Sequence, residues 1–361
     1  NVHRIPLELQ IGSIYDTTKA DLKKDSEVFM FRFRKIFLIV MLMLALGCAP
    51  IVATSAPPAS PATSLPPTVA PPTATVTPTD TPSPSATPLP LVPNFAHIVI
   101  VVFENKESGT VIGSPKAPYY NVLANTYTLL DQFYAVTHPS LPNYLAMISG
   151  DTFGVTSDCE DCFVNAPSLP DQIETGGRTW RTYQEDMPSP CFVGSTLLYA
   201  QKHNPFIYFD PIRLNADRCD QHIVPLDQLD ADIASKSLPN FIFVTPNLCN
   251  DAHDCGIDVS DQWLFNFAHK IVPALDATGE SYLVVLTWDE GQGDHSCCGL
   301  PEKAGGRIAT VLISPQVKSG FKDETQYTHY SLLKTIEQAW GLPYLGHAAD
   351  DNNALIVAPW K

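Results

Sequence analysis

Unbroken apolar runs recur along the chain after residue 94, and each is only a few residues long. The runs are His97–Phe103, Phe206–Phe209, Phe241–Thr245, Tyr282–Trp288 and Ile308–Ser314. Runs of this length and composition predict strands that are buried on both faces of a sheet.

Two longer segments place apolar residues at helical spacing: Asp261–Ala277 between two of these runs, and His329–Trp340 after the last of them. Strands that alternate with helices predict an α/β fold, with a mostly parallel central sheet covered by helices on both faces. A shorter helix-like stretch follows Ser140.

The segment 49–93 is different, because it consists almost entirely of Pro, Thr, Ser and Ala and carries one charge, Asp80. Such a composition cannot bury enough apolar surface to offset the entropy of ordering, so we interpret it as a disordered linker. The catalytic domain is therefore expected to span residues 94–361.

Residues 30–48 have the pattern of an export signal. A basic start is followed by the apolar run Ile36–Leu46, which is too short to span a bilayer, and then by Gly47 and Cys48. The pattern resembles a bacterial lipoprotein signal, with Cys48 as the lipidated residue; a secretory signal cleaved nearby is the alternative. Residues 1–29 precede Met30 and are interpreted as a start-site artefact or a disordered segment.

Cysteine usage supports export. Eight of the nine cysteines follow Cys48, at positions 159, 162, 191, 219, 249, 255, 297 and 298. An even set behind an export signal predicts disulfides, with Cys159–Cys162 and Cys249–Cys255 as the expected short loops. A zinc site is disfavoured because the remaining spacings fit no four-ligand pattern.

The formal net charge of −16 argues against nucleic-acid binding, which needs a basic surface. It also implies that an anionic substrate would need a local cation. The sequence assigns no oligomeric state.

Acidic and amide side chains directly follow two of the predicted strands, as Glu104–Asn105 and Asp289–Glu290, and His253–Asp254 lies shortly after a third. In parallel sheets, ligands bind at the carboxyl ends of the strands. Clustered oxygen ligands suit a divalent cation such as Ca, Mn, Mg or Zn, provided that the strands are neighbours.

Ser140 permits two interpretations, since it immediately precedes a helix-like stretch. It is either a helix N-cap or a nucleophile at the positive end of a helix, activated by a metal ion. Asn143, one helical turn later, is a candidate to contact the same phosphate. His203, His253 and His329 are candidates to contact phosphate oxygens or protonate a leaving group, although a lone histidine more often has a structural role.

Six stretches in this order resemble the bacterial phosphoesterase family, which groups acid phosphatases with phosphatidylcholine-type phospholipases C in the alkaline phosphatase superfamily. The stretches are Phe103–Asn105, His138–Gly150, Lys202–Phe206, Thr245–Cys255, Thr287–Gly291 and Thr328–Gly346. The resemblance implies an alkaline-phosphatase-like sandwich.

The resemblance also implies roles for individual residues. Ser140 would be the nucleophile. One divalent metal ion would be held by Glu104, Asn105, Ser140, Asp289 and Glu290. Phosphate would be bound by Asn143, His203, His253, Asp254 and His329. His138 would either contact phosphate or orient its loop.

The function expected from these observations is an exported, metal-dependent phosphomonoesterase of acid-phosphatase type that acts on a small phosphate ester through a phosphoserine. Two alternatives stay open: a phosphodiesterase of phospholipase C type, which an apolar pocket rim would favour, and a surface binding protein without turnover. Membrane contact is expected only through a lipid anchor at Cys48.

Overall fold

The computed structural model describes residues 91–361. The start-site artefact predicted for residues 1–29, the signal with its lipidated Cys48 and nearly all of the linker predicted for 49–93 lie outside the described residues. Within residues 91–361, no helix is both long and apolar enough to cross a lipid bilayer.

In the described part of the chain, eight strands form one sheet in the order β4-β3-β5-β1-β6-β7-β2-β8. In chain order the strands are β1 His97–Phe103, β2 Thr128–Tyr134, β3 Trp180–Gln184, β4 Ile223–Pro225, β5 Phe241–Thr245, β6 Tyr282–Trp288, β7 Arg307–Ile313 and β8 Phe321–Thr328.

The sheet is mostly parallel, as predicted. β7 runs antiparallel to both of its neighbours, β6 and β2, whereas the other five pairings are parallel. Every residue of β1, β5 and β6 is buried. Because successive side chains of a strand point to opposite faces, the centre of the sheet is covered on both sides. The α/β fold class predicted from the apolar runs is thus confirmed.

Nine α-helices connect and cover these strands within residues 91–361. They are α1 Ser108–Val111, α2 Pro118–Thr126, α3 Ser140–Ser149, α4 Leu169–Thr175, α5 Asp210–Arg213, α6 Ala216–His222, α7 Gln228–Ala234, α8 Ile257–Thr278 and α9 His329–Trp340. The prediction for α9 is correct at both ends. The Asp261–Ala277 prediction falls within α8, which begins earlier, at Ile257, after Gly256.

The strand predicted at Phe206–Phe209 is wrong. Residues Pro205–Tyr208 form a 3₁₀ helix, whose first position suits the fixed φ of Pro205. Phe206 stacks on the ring of Trp180, with centroids 5.3 Å apart. The apolar run therefore reflects burial, which periodicity alone does not assign to a strand or a helix.

Four strands were not predicted, namely β2, β3, β4 and β8. β8 lies at one edge of the sheet and has several exposed polar residues, so its sequence FKDETQYT lacks an apolar run. β4 has only three residues and lies at the other edge.

Four disulfides link the eight cysteines of the described chain: Cys159–Cys162, Cys191–Cys219, Cys249–Cys255 and Cys297–Cys298. Both short loops predicted from the spacing are present.

Candidate active site

The strand order places the three acid-bearing strand ends side by side. β1 lies between β5 and β6, and Phe103 at the end of β1 is in register with Trp288 at the end of β6. The next residues, Glu104 and Asp289, therefore emerge together. The backbone N–H of Glu104 donates to the carbonyl of Asp251, in the loop after β5, over 2.8 Å. The three strands are therefore neighbours, as the cation site predicted at their ends requires.

Ser140 is the first residue of α3 and is buried. The N-cap position is held by Pro139, which makes no side-chain capping hydrogen bond, and Gly150 ends the helix with a left-handed φ of 74°. Pro142 is tolerated in the first turn because an N–H there would have no helical acceptor. The Ser140 hydroxyl is therefore not used as a helix cap.

The Ser140 hydroxyl instead donates to a carboxylate. Its Oγ lies 3.1 Å from Oε2 of Glu104. Oε1 of the same carboxylate accepts from the Tyr144 hydroxyl, over 2.5 Å. Ser140 also lies close to Asp289, where its contact partly offsets the rise in the pKa of that carboxyl caused by burial. A hydroxyl at the start of a ten-residue helix thus faces two buried acids.

Glu104, His203 and Asp251 form a buried cluster that could hold a metal ion. Each offers one ligand atom, and these atoms lie within 4.8 Å of one another. His203 bridges the two acids, with Nε2 at 3.2 Å from Glu104 and Nδ1 at 3.2 Å from Asp251.

Burial makes charge unfavourable throughout this cluster. It raises the pKa of Glu104 well above its usual value, and the charges of Asp289 and Asp251 raise it further. Burial raises the pKa of Asp251 to about 7, and burial together with the Glu290 charge raises the pKa of Asp289 to about 6. Burial, then the Lys202 charge, lowers the pKa of His203 to about 3.

Three buried polar atoms lack a well-aligned hydrogen bond, although His203 lies 3.2 Å from both acids of the cluster. They are Nε2 of His203, Oδ2 of Asp251 and Oδ2 of the neighbouring Asp289. Unpartnered buried polar atoms are costly and call for an explanation such as an ion. A divalent cation would supply the missing partner and relieve the repulsion between the acids. The residues therefore fit a cation.

Lys202 brings a positive charge to this acidic site. Its Nζ donates to Asp158 over 2.9 Å and lies 3.4 Å from Nε2 of His253. Burial would lower the pKa of Lys202, but the Asp158 hydrogen bond and the charge of Glu104 outweigh it and raise the pKa. Asp158 also accepts from the backbone N–H of Leu141, at the start of α3.

His253 lies beside this pair and is exposed. Its Nδ1 is 2.7 Å from Oδ1 of Asp254. The carboxylate therefore fixes the proton on Nδ1 and leaves Nε2 as an acceptor toward Lys202. His253 and Asp254, both predicted from the sequence, thus lie close to His203, whose ring centroid is 5.8 Å from that of His253.

Asn143 contacts the backbone of the loop before α3. Its Oδ1 accepts from the N–H groups of Val136 and Thr137, and its Nδ2 donates to the carbonyls of Thr137 and Pro139. In this arrangement Asn143 positions the loop that carries Ser140.

His329 and Glu290 have partners of their own. His329 is buried, its Nε2 lies 2.6 Å from the carbonyl oxygen of Asp289, and burial lowers the pKa of His329 to about 4. Glu290 pairs with Nδ1 of His138, and this hydrogen bond raises the pKa of His138 to about 9. Both histidines therefore hold the loop that follows β6.

Asn105 has a φ of 56°, which is uncommon for a residue other than glycine. Its backbone N–H donates to Asp289 and its Nδ2 to Glu104, over 2.9 Å in each case. A left-handed conformation is held here by two acids, and such strain concentrates at functional sites.

Four residues of the site were not singled out from the sequence: Asp251, Tyr144, Lys202 and Asp158. Asp251, Tyr144 and Lys202 lie within the stretches that carry the family resemblance, so the signal was available for them. Asp158 lies outside those stretches and reaches the site through the fold.

A family of known proteins matches most of this chain. The profile described as "Phosphoesterase family" matches residues 113–343. The chain belongs to the phosphoesterase family. The predicted family and the predicted class, a hydrolase that acts on phosphoric ester bonds, are thereby confirmed.

Among similar proteins is the phosphatidylinositol-3-phosphatase of Mycobacterium tuberculosis, 36% identical over 266 residues, which are 72% of this chain and 81% of that protein. An acid phosphatase of Aspergillus fumigatus is 37% identical over 241 residues, 62% of this chain and 51% of that protein. The chain thus spans about half the length of this fungal relative.

A solved protein of the alkaline phosphatase superfamily from Vibrio parahaemolyticus is also similar. It superposes with a TM-score of 0.47 and 14% identity, over 70% of this chain and 68% of that one.

Proposed function

We propose that this phosphoesterase is an exported, metal-dependent phosphomonoesterase of acid-phosphatase type, in which Ser140 attacks phosphorus and becomes a phosphoserine. The main support is the Ser140 hydroxyl, 3.1 Å from Glu104 within a group of buried acids. Relatives named acid phosphatase support the monoester. Four disulfides support an oxidising compartment, and lipidation at Cys48 would tether the protein there.

One divalent ion is part of this proposal. Its proposed ligands are Glu104, Asn105, Ser140, Asp289 and Glu290. The buried cluster adds His203 and Asp251 as candidates. When bound, Ca, Mn, Mg or Zn would lower the pKa of the serine hydroxyl and offset the charge on the phosphoryl oxygens.

The side chains of the site supply the remaining functions. Glu104 Oε2 is the first acceptor for the hydroxyl proton of Ser140, because it already accepts that hydrogen bond. Lys202 supplies the positive charge that an anionic ester needs in an acidic domain. Nε2 of His253 lies next to Lys202 and is placed to exchange a proton with the leaving oxygen or with water.

The other proposed phosphate-binding residues differ in what they contact within the protein. Asp254 would fix the His253 tautomer. His203 lies between Glu104 and Asp251. Asn143 and His329 would act mainly through the loops that they hold.

A substrate panel on the full chain loaded with each candidate metal tests this function. We expect p-nitrophenyl phosphate to be hydrolysed at least about tenfold faster than bis(p-nitrophenyl) phosphate, which is ~1.4 kcal/mol of discrimination. Acid quenching during turnover should trap phosphate on the peptide that contains Ser140, detected by mass spectrometry. Ligand binding without hydrolysis of any ester would instead support the binding-protein alternative.

One observation favours the second candidate, a phosphodiesterase of phospholipase C type. The loop before the 3₁₀ helix Gln201–His203 exposes Val193, Leu197 and Leu198, with 49%, 88% and 39% of their surface accessible. The carbonyl of Leu198 accepts from the N–H of Leu248, close in sequence to Asp251. Three exposed apolar residues beside the site would suit a leaving group with acyl chains.

Serine substitutions separate the two candidates. If the loop serves a lipid substrate, changing Leu197 and Leu198 together to Ser should reduce hydrolysis of phosphatidylcholine vesicles and leave p-nitrophenyl phosphate unaffected. Leu214→Ser is the control, since Leu214 is 69% exposed elsewhere on the surface. No phosphatidylcholine hydrolysis by the wild type would exclude this candidate.

A further inference from the structure

We propose that Glu107 is a positioning residue that clasps the loop after β6 and thereby fixes the His138–Glu290 pair at the active site. The inference rests on the proposed function, in which Glu290 is a ligand of the metal ion. Glu107 follows Glu104 and Asn105 by a few residues but lies on the outer side of the site, with 21% of its side chain exposed. The loop it contacts, residues 291–306, is named the clasp loop here.

The Glu107 carboxylate accepts hydrogen bonds from the start of the clasp loop and from the residue that follows its end. Oε2 accepts from the backbone N–H of Gln292, at 3.2 Å, and of Gly293, at 3.1 Å. Oε1 accepts from the N–H of Arg307, at 3.1 Å, and lies 3.3 Å from Nδ1 of His295. One side chain therefore joins the start of the loop to the residue that follows its end.

The loop is shaped around this carboxylate by glycines. A Cβ on Gly291 would lie 2.2 Å from Glu107 Oε2, and a Cβ on Gly306 would lie 2.8 Å from the same atom. Gly306 also has a φ of +83°, which other residues rarely adopt. The two ends of the loop also contact each other, because the N–H of Gly291 donates to the carbonyl of Gly305 over 2.6 Å. Glycine is thus required where the loop approaches the carboxylate.

The clasped segment is the one that orients His138. Nε2 of His138 lies 3.1 Å from the carbonyl oxygen of Gly293, and its Nδ1 pairs with Glu290. Gly293 is also one of the residues whose N–H is held by Glu107. The path from Glu107 to His138 therefore passes through a single peptide residue. Glu290 itself directly precedes the glycine that packs on the carboxylate.

A neutral side chain could not replace Glu107 without loss. The amide of Gln offers one acceptor oxygen, whereas the three backbone N–H groups donate to both oxygens of the Glu107 carboxylate. The remaining N–H would face the donor end of the amide, and the loop would lose a charge-assisted contact. Residues that orient metal ligands in this way typically change metal affinity or activity by about 10–100-fold when mutated.

The test compares Glu107→Gln with Asp261→Asn in the full chain. Asp261 also accepts two backbone N–H groups, from Tyr119 and Tyr120, but it ties α2 to α8. We expect both variants to melt at a lower temperature. Only Glu107→Gln should speed hydrogen exchange of the clasp loop in metal-free protein, weaken divalent-metal affinity in a chelator competition and lower kcat, with losses of about 10–100-fold in the last two.

A double-mutant cycle adds a second readout. A Cβ at position 306 would lie 2.7 Å from the Gly293 carbonyl oxygen and 2.8 Å from Glu107 Oε2. Gly306→Ala therefore disturbs both the carboxylate and the loop residue that it holds, so its effect on metal affinity should be less than additive with that of Glu107→Gln. Should Glu107→Gln fail to fold, Glu107→Asp, which keeps the charge but shortens the side chain, takes its place throughout.

The outcomes distinguish this inference from the proposed function. A wild type that binds no cation and hydrolyses no ester refutes the function, while the exchange measurement still reports on the clasp. An active wild type whose Glu107→Gln variant matches Asp261→Asn in metal affinity and kcat overturns the positioning role. Unchanged hydrogen exchange in the loop overturns the clasp itself.

Discussion

The hydroxyl of Ser140 lies 3.1 Å from the carboxylate of Glu104, although 36 positions separate the two residues in the chain. The contact joins the first turn of α3 to the end of the central strand β1. Both side chains are buried, so water does not take the place of either partner in this contact. The relationship between a helix start and a strand end is the geometric basis of the proposed chemistry.

Replacing the nucleophile should remove turnover. We expect Ser140→Ala to lower kcat for p-nitrophenyl phosphate by at least ~10³-fold, because no other hydroxyl would take its place in the attack. Ser149→Ala, at the other end of the same helix, is the matched control, since its Oγ donates to the Leu145 carbonyl. Comparable activity in the two variants would contradict the assignment of Ser140.

Metal content should identify which acids bind the ion. We expect Glu104→Gln to lower the metal-to-protein ratio measured by elemental analysis, because Glu104 belongs to both candidate ligand sets. Asp251→Asn should lower it only if the buried cluster is the site, and Glu290→Gln only if the set implied by the family is correct. Full activity after exhaustive chelation, in protein shown to be metal-free, would disprove any metal role.

Lys202 should affect substrate binding. We expect Lys202→Ala to lower kcat/KM by about 10–100-fold, corresponding to a charge-assisted hydrogen bond of ~1.5–3 kcal/mol, and to weaken inhibition by inorganic phosphate. Lys270→Ala serves as control, because Lys270 pairs with Asp230 on the surface. Unaltered phosphate inhibition in Lys202→Ala would exclude contact with the phosphate.

The buried carboxyl of Glu337, remote from the active-site acids, should make stability depend on pH. Burial raises the pKa of Glu337 from 4.5 to about 8. Its protonated form is therefore favoured in the folded state, so this contribution to the free energy of unfolding is complete below pH 4.5 and is lost as the pH rises through 8. Glu337→Gln should flatten the decline in melting temperature between pH 5 and 8.

A matched substitution checks that result. Glu324→Gln changes an exposed residue of β8 and should leave the pH dependence as in the wild type. A decline that persists unchanged in Glu337→Gln would assign it to other groups.

The centre of the fold could be predicted from the sequence, but its periphery could not. β1, β5 and β6 are continuous apolar runs because both faces of the sheet are covered there, and their limits match the structure. β8 lies at the edge of the sheet and carries exposed polar residues, so it has no apolar run. The run that begins at Phe206 is apolar because it is buried, but it forms a 3₁₀ helix. The pattern of apolar residues therefore indicates burial more directly than it indicates backbone conformation.

The site shows the same division. Acids at strand ends could be found because the strand that precedes each is unmistakable, as for Glu104 and Asp289. Asp251 cannot be distinguished from its neighbours in the sequence, since only the fold shows that its carbonyl contacts the Glu104 backbone and its carboxylate faces His203. The reach of Asp158 to Lys202 depends on a disulfide-bearing loop whose path local sequence does not specify.

Strand β1, the first strand among residues 91–361, occupies the middle of the sheet, and this has a consequence for how the enzyme matures. β1 gains its two partners only when segments 241–245 and 282–288 arrive, long after it has been synthesised. A nascent chain that has not reached Trp288 thus has neither a completed centre nor a neighbour for Glu104. Catalytic competence should therefore emerge late and all at once, as the export proposed for this chain would require.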